Sequence, residues 1–222
     1  MKYLYTVFCL SLLSYLAESV YAQNSISLGP KVGLGFSIPM QAVRQSINGM
    51  SYNLRGNASY SFGFMGQYIL GDRLGIETGT VISYQQYSRM DLKNSIKSLL
   101  SIDSSIGIIN YQIPIQLFYK FNHPTNPYKH FKITSGMSLD MLEAEFLYQQ
   151  YNHLILSKYL IEFRMGNEGK RFGRLEYGLQ YQCSIGGEHN FPRSTKNSSD
   201  ALSIKYSLIS FNIYYFFLNK DL

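Results

Sequence analysis

The sequence of 222 residues contains no tryptophan and has little charge for its length. Charged residues make up 15% of the chain, whereas about 25% is usual in soluble domains. Only two cysteines are present, and Cys9 lies inside an apolar run near the amino terminus. Cys183 is then the single cysteine of an exported chain, which excludes an internal disulfide. The net charge of +6 comes from scattered Lys and Arg residues without a basic cluster, so no nucleic-acid partner is predicted.

The amino-terminal segment has the features of a secretory signal peptide. Lys2 gives it a basic start, an apolar run covers 4–16, and residues 20–22 form a small-residue cleavage site. The run is shorter than the ~20 residues of a membrane-spanning helix. We therefore predict a cleaved signal peptide over 1–22, followed by one β-barrel domain over 23–222.

The rest of the chain alternates between bulky apolar residues and small or polar ones. In the segment 109–121 every odd position is apolar and most even positions are polar. This period of two indicates a β-strand with one apolar face. The apolar face of the last strand changes sides, which predicts a bulge near Leu208. The pattern predicts eight strands, over 26–38, 59–70, 74–87, 109–121, 130–142, 157–165, 174–185 and 201–217.

The connections between the predicted strands alternate in length. Short turns such as Gly71–Arg73 alternate with long segments. This arrangement places the long connections at one end of an up-and-down meander and both termini at the other. The second long segment contains the partly amphipathic stretch DLKNSIKSLLSID, which packs on itself or, alternatively, binds a partner protein. The predicted long segments cover about 39–58, 88–105, 143–156 and 186–200.

Eight antiparallel strands fit either a soluble barrel with its apolar face inward or an outer-membrane barrel with that face outward. The interior of an eight-stranded barrel is just filled by side chains, and about five bulky residues per strand exceed that space. The sequence therefore predicts an all-β, eight-stranded antiparallel up-and-down transmembrane β-barrel of the outer-membrane type. Pro114, which has no N–H, is expected at a bulge or beside a water in the lumen. The expected interfacial tyrosines are Tyr60, Tyr68, Tyr84, Tyr111, Tyr119 and Tyr206.

The alternation places most charges of the strands inside the barrel. Lys132 and Asp140 fall on this lumen face, and a hairpin of the sixth and seventh strands brings Arg164 near Glu176. Paired charges satisfy each other in a narrow interior, so we predict a plugged lumen, with an ion path as the alternative. The predicted lumen charge network consists of Lys31, Glu77, Lys120, Glu162, Arg164, Arg174 and Glu176.

Catalytic and metal-binding signatures are sparse. The carboxylate nearest to His153 in the sequence is Glu145, and the one nearest to His189 is Glu188. Neither pair belongs to a Ser-His-acid arrangement. One cysteine and dispersed histidines, including His123 and His130, lack the spacing of metal ligands. We predict no enzymatic activity, no cofactor and no metal, and we keep lipid A modification as the catalytic alternative.

Four segments resemble the PorT-like outer-membrane β-barrel proteins of Bacteroidetes: the signal peptide ending in YAQ, the opening GPKVGLGFS, the strand IPIQLFYKF and the terminal ISFNIYYFF. The last is similar to the signal read by the barrel-assembly machinery, although residues 218–222 follow it. The resemblance implies a barrel in the bacterial outer membrane, with membrane lipid and the assembly machinery as partners. A structural or interaction role is expected, with type IX protein secretion, and hence secretion-system proteins, as the alternative.

Overall fold

The computed structural model of the chain consists of β-strands joined by turns. It describes residues 25–37, 43–47, 50–71, 73–89, 105–126, 128–146, 149–150, 154–169, 173–186, 189–190, 201–205 and 207–221, and the predicted signal peptide lies outside them. None of the described residues belongs to a helix long and apolar enough to cross a bilayer. The strands are β1 (Ser25–Ser37), β2 (Val43–Ile47), β3 (Met50–Leu70), β4 (Leu74–Arg89), β5 (Ser105–Asn122), β6 (Lys129–Phe146), β7 (Gln149–Gln150), β8 (Leu154–Gly169), β9 (Gly173–Ser184), β10 (His189–Asn190), β11 (Ala201–Ile204), β12 (Ser207–Phe216) and β13 (Leu218–Asp221).

Eight strand positions close into an antiparallel barrel. β3 pairs with β4, β4 with β5, β5 with β6, β6 with β8, β8 with β9, and β9 with β12. β1 closes the ring, because it pairs with β3 on one side and with β12 and β13 on the other. β12 and β13 together occupy the last position. The predicted eight-stranded up-and-down barrel is therefore confirmed, and its closure suits hydrocarbon surroundings, where open strand edges are costly.

The barrel has one end with short turns and one with long connections. At the short-turn end, Gly71 has a φ of 64°, which favours glycine and lets β3 turn directly into β4. Between β5 and β6, the His123 N–H donates to the Lys129 carbonyl at 3.0 Å. Ser25 of β1 pairs with Asp221 of β13 at this same end. The opposite end, where β1, β4, β6 and β9 finish, is called the long-loop end below.

The outward face of the wall is a continuous apolar surface, called the lipid face below. Side chains alternate between buried and exposed along each strand. Leu117 is 65% exposed and Phe36 is 68% exposed, and large apolar residues are exposed on all eight strand positions. A water-facing surface rarely carries such an apolar area, so this face is suited to lipid. Of the expected interfacial tyrosines, Tyr60, Tyr68, Tyr84 and Tyr111 are exposed here, Tyr119 is half-buried, and Tyr206 lies outside the described residues.

Each of the four segments that the sequence predicted as long connections contains strand residues. The predicted connection 39–58 holds β2 and the first part of β3, which pair as a hairpin, and β2 also pairs with β11. β6 continues to Phe146, beyond its predicted end at residue 142. A strand that extends beyond the lipid face needs no apolar side, so the period of two that reveals a membrane strand is lost there. The predicted strand ends were wrong for this reason.

Among the described residues there is no bulge near Leu208, where one was predicted, and none at Pro114, where a bulge was one of two expectations. β11 ends at Ile204 and β12 begins at Ser207, so the predicted last strand is divided into two strands just before Leu208. β11 pairs with β2 and β10, whereas β12 pairs with β1 and β9, so the changed apolar side coincides with a change of partners. At Pro114, the residue pairs on either side keep one register, so no extra residue is inserted into the ladder between β4 and β5.

Candidate functional site

The candidate site is the lumen, which polar and charged side chains fill. The alternation of the strands turns these side chains inward, where a charge without a partner is costly. Among the described residues, amides and hydroxyls from every strand position except that of β8 share this face with the charges. Of the predicted network, Lys31, Glu77, Glu162, Arg164, Arg174 and Glu176 are buried, and Lys120 is half-buried near the short-turn end.

Arg164 on β8 forms the centre of the lumen network. Its Nη2 and Nη1 donate to the two Glu77 oxygens at 2.5 and 2.7 Å, and its Nε donates to Glu162 Oε2 at 2.8 Å. Glu176 Oε2 lies 3.4 Å from Arg164 Nη1, which is the neighbour that the hairpin predicts. The Tyr214 ring stacks on the guanidinium, whose Cζ is 3.7 Å from the ring centroid. The planar guanidinium thus joins carboxylates from three strands, β4, β8 and β9.

Gly178 on β9 makes room for this central cluster. It pairs with Arg164 across the β8–β9 ladder and with Asn212 across the β9–β12 ladder. A Cβ atom at this position would meet Glu162 Oε1 and would lie 2.9 Å from Arg164 Cγ. Glycine on one strand therefore provides the space that a long charged side chain on the next strand occupies.

Lys132, Arg174 and His130 extend the network towards the short-turn end. Lys132 Nζ lies 2.5 Å from Glu176 Oε2 and 3.7 Å from Glu77 Oε2. Arg174 Nε lies 2.9 Å from Glu176 Oε1, and His130 Nε2 lies 3.3 Å from the same oxygen. Glu176 is therefore surrounded by basic side chains, which offsets the cost of burying its carboxylate.

A second charged pair lies in the long-loop half of the lumen. Lys158 Nζ is 2.6 Å from Asp140 Oδ2. The same oxygen accepts hydrogen bonds from Asn110 Nδ2 and Gln112 Nε2, both at 2.8 Å. The Ser138 hydroxyl donates to the other oxygen of Asp140. Three neutral donors and one cation thus share this buried carboxylate.

A row of amide side chains joins the two charged regions. Gln112 Nε2 donates to Gln182 Oε1 at 3.2 Å, and Gln182 Nε2 donates to Gln180 Oε1 at 2.7 Å. Gln180 Nε2 donates in turn to Glu162 Oε2 at 3.5 Å. Lys31 Nζ donates to Gln180 Oε1 at 3.3 Å. Hydrogen bonds between side chains therefore run continuously from the long-loop half of the lumen to the central cluster.

The sequence analysis missed three members of this network: Lys158, His130 and Tyr214. Lys158 shares its strand face with Glu162, so the period of two could have identified it. Tyr214, which donates to Glu162 at 2.8 Å, shares its strand face with Ser210 and Asn212, so the same period could have identified it. Lys31 joins the network through an amide and through the Tyr214 ring, whose centroid is 5.4 Å from its Nζ.

The described histidines lie in different elements of the fold. His123 Nδ1 accepts from the Thr125 N–H at 3.3 Å in the turn between β5 and β6, whereas His130 belongs to the lumen network. His153 lies outside the described residues, and His189 is placed in β10. Within the described part of the chain, no group of three or more His, Cys, Asp and Glu residues could hold a metal ion.

Neither a family model nor a curated protein matches the chain. Among solved structures, the outer membrane protein OprG from Pseudomonas aeruginosa is similar, with a TM-score of 0.59 and 10% identity over 88% of this chain and 96% of OprG. Neisserial surface protein A matches with a TM-score of 0.45 and 11% identity over 85% of this chain and 96% of its own. Ail of Yersinia pestis matches with a TM-score of 0.37 and 10% identity over 88% and 99%.

The likeness to OprG concerns the fold, and it agrees with the closed ring of strands and the apolar outer wall described above. The chain is an eight-stranded β-barrel of the outer-membrane type.

Proposed function

We propose that this chain is a non-catalytic barrel of the bacterial outer membrane, with a sealed lumen and an interaction surface at its long-loop end. The continuous network of buried ion pairs and amides carries this proposal. It runs from Asp140 and Lys158 to Glu176. A path for hydrated ions would have to break contacts on many strands at once, and barrels of this width normally do not conduct.

Planar bilayer recordings test the sealed lumen. The purified barrel is expected to give no unitary current steps, because the network blocks the axis. The lipid-facing variant Leu117→Met is the matched control and should be equally silent. Current steps in the unmodified protein that disappear in Glu77→Gln or Glu162→Gln would show that the charges line an ion path, and would contradict the proposal.

Fractionation tests the location. The apolar wall supports residence in a membrane, and the short-turn end, where β1 begins and β13 ends, is then the periplasmic end. The protein is expected in the outer-membrane fraction and should require detergent for extraction. Recovery of folded protein in the supernatant without detergent would contradict this part of the proposal.

The partner is the finer question, and a role in type IX secretion rests on the sequence resemblance to PorT-like proteins. Amine crosslinking in intact outer membranes, followed by purification, identifies neighbours of the segment 88–105. The double change Lys93→Arg and Lys97→Arg keeps the charge but removes both reactive amines of the segment, so a crosslink formed through it should vanish in that variant. Secretion-system proteins among the neighbours would support the secretion role, whereas their absence favours a free-standing barrel.

A further inference from the structure

The outside of the barrel carries basic side chains at the short-turn end. Arg73 lies between β3 and β4, Lys129 begins β6, and both side chains are exposed. Four Lys or Arg residues and two acidic residues occur in the segments that join the strands at this end, 71–73, 123–129 and 167–172. These segments therefore carry a net positive charge at the edge of the lipid face.

Arg73 is attached to the neighbouring strand β5. Its backbone carbonyl accepts a hydrogen bond from the Lys120 N–H at 2.6 Å, which fixes the turn between β3 and β4 against β5. Its Nη1 donates to the Tyr119 hydroxyl oxygen at 3.5 Å. Tyr119 pairs with Leu74, which is the residue that follows Arg73. The guanidinium and the phenolic hydroxyl thus lie side by side at the edge of the lipid face.

A group of rings marks the height of Arg73 on the wall. The Tyr119 ring packs edge-on against the Phe121 ring, with 4.6 Å between their centroids. Phe121 pairs with Phe131 of β6, and the His123 ring lies 6.3 Å from the Phe131 ring. We call these four rings the aromatic row. Aromatic residues of membrane proteins concentrate where hydrocarbon meets the headgroups, so the row places Arg73 at the depth of the lipid phosphates.

The opposite rim of the same strands differs in charge. There the outermost described side chains that face outward are Gln86 on β4 and Glu143 on β6. Glu143 pairs with Ile109, which is exposed on the lipid face, so the two side chains face the same way. A lipid phosphate is therefore repelled by a carboxylate at this rim, whereas Arg73 and Lys129 attract it at the other.

We propose that the surface formed by Arg73, Tyr119 and Lys129 binds the phosphate of one anionic phospholipid, whose acyl chains lie on the aromatic row. The planar guanidinium matches the oxygens of a phosphodiester, and its attachment to β5 reduces the freedom that is lost on binding. Because the surface continues into the lipid face, it suits a phosphate that carries hydrocarbon chains. The leaflet rests on the proposed function: with the short-turn end in the periplasm, the lipid belongs to the periplasmic leaflet.

Lipid retention by the folded barrel tests this site. The protein is purified in a non-ionic detergent and titrated with phosphatidylglycerol or with zwitterionic phosphatidylcholine of the same acyl chains. Native mass spectrometry counts the lipids that remain bound. One phosphatidylglycerol should bind at least about fivefold more tightly than phosphatidylcholine, the factor for one basic residue near an anionic lipid surface.

Variants of the basic residues assign the contact. Arg73→Gln should weaken phosphatidylglycerol binding about fivefold or more and leave phosphatidylcholine binding unchanged, and Lys129→Gln should weaken the former to a smaller extent. Arg73→Lys keeps the charge but loses the planar fork, so its affinity should lie between those of the parent and Arg73→Gln. The matched control is Lys205→Gln, which removes an exposed lysine between β11 and β12 and should bind like the parent.

Equal affinities for the two lipids would overturn the proposal, and so would an Arg73→Gln variant that binds phosphatidylglycerol like the parent. An equal loss in Lys205→Gln would also overturn it, because the lipid would then respond to the overall charge. Soluble glycerol phosphate at the concentration of the lipid should not displace it, and displacement would assign the site to a free phosphate instead.

These measurements are independent of those that test the proposed function. They involve neither conductance nor fractionation, so loss of lipid selectivity would leave the sealed lumen and the location untouched. Current steps in bilayer recordings would, in turn, leave the lipid site in place. Variants enter the comparison only if their circular dichroism and heat-dependent gel mobility match those of the parent.

Discussion

Gln116 and Leu117 are neighbours on β5, yet they meet opposite surroundings. Gln116 is 1% exposed in the lumen, whereas Leu117 is 65% exposed on the lipid face. On the lipid face a side chain needs only to be apolar, because lipid adapts to its shape. In the lumen a side chain needs a particular partner at a particular distance, as Arg164 does with Glu77 and Glu162. The two faces of one wall therefore follow different rules of substitution.

The two faces differ in this way because their stabilising free energy has different sources. Transfer of apolar surface from water scales with area and has no direction. Buried charges are stabilised only by specific contacts, and removing one partner leaves the other desolvated. On the lipid face, a substitution by a charged residue should therefore destabilise the barrel, whereas one apolar residue should replace another at little cost. In the lumen, even a substitution that preserves side-chain volume should be destabilising.

Arg164→Met is expected to have the largest effect. Methionine fills similar space but leaves Glu77 and Glu162 without the guanidinium that joins them. The loss should be about 3–5 kcal/mol of the free energy of unfolding, as for other broken buried ion pairs. Urea unfolding of the barrel from lipid vesicles, followed by circular dichroism, measures it. Arg164→Lys should lose less, since it keeps the charge. A loss near zero for Arg164→Met would remove the distinction between the two faces.

Leu117→Arg tests the lipid face. A charge at this position should lower the free energy of unfolding by about 2–4 kcal/mol if Leu117 lies near the bilayer midplane. The same urea titration applies, and Leu117→Met provides the control that stays apolar and should lie within about 1.5 kcal/mol of the parent. If arginine and methionine have equal effects, the outer wall does not face hydrocarbon.

Lys158→Met compares two regions within the lumen. Asp140 retains its bonds from Asn110, Gln112 and Ser138 after this change, so the carboxylate keeps neutral donors. The expected loss is about 1.5–3 kcal/mol, the range for a hydrogen bond to a charged group. A loss larger than that of Arg164→Met would show that the long-loop half holds the barrel together more firmly than the central cluster. The unfolding midpoint in urea gives the ranking.

Tyr159→Phe should have the smallest effect. The Tyr159 hydroxyl is 2.8 Å from the Ser135 hydroxyl on the lipid face, and it is the only group removed. The expected loss is about 0.5–1.5 kcal/mol, that of one neutral hydrogen bond. Tyr215→Phe, on the same face, tests how much a lipid-facing hydroxyl matters elsewhere. A loss as large as that of Lys158→Met would mean that the lipid face also depends on specific partners.

The wall of the barrel was predictable because the bilayer imposes a pattern. Every strand that crosses hydrocarbon must turn an apolar side outward, so residues such as Ile113, Ile115 and Leu117 reveal the strand, its face and its neighbours. Beyond the apolar band this requirement ends, which is why the strand content of 39–58 was missed. The break before Leu208 was misread because the alternation reports which side a residue faces and not which strand it pairs with.

The lumen was predictable in composition but only partly in its contacts. Period two places Glu77, Arg164 and Glu176 inside, and hairpin adjacency brings the last two together. It does not reveal that Arg164 crosses the lumen to Glu77, because that contact joins strands β8 and β4, which do not pair. Contacts across a barrel depend on side-chain length and on the shear of the sheet, and the alternation of apolar and polar residues predicts neither.

Barrel closure has a consequence for biogenesis. β1 pairs with β3, which lies close to it in the sequence, but its other neighbours, β12 and β13, come last among the described strands. Until they arrive, one edge of β1 has no native ladder, so a partly translocated chain cannot complete its ring. Pairing between the first and last strands gives a high contact order, which slows spontaneous folding and favours aggregation-prone intermediates. The ring can therefore close only when β12 and β13 are in place beside β1.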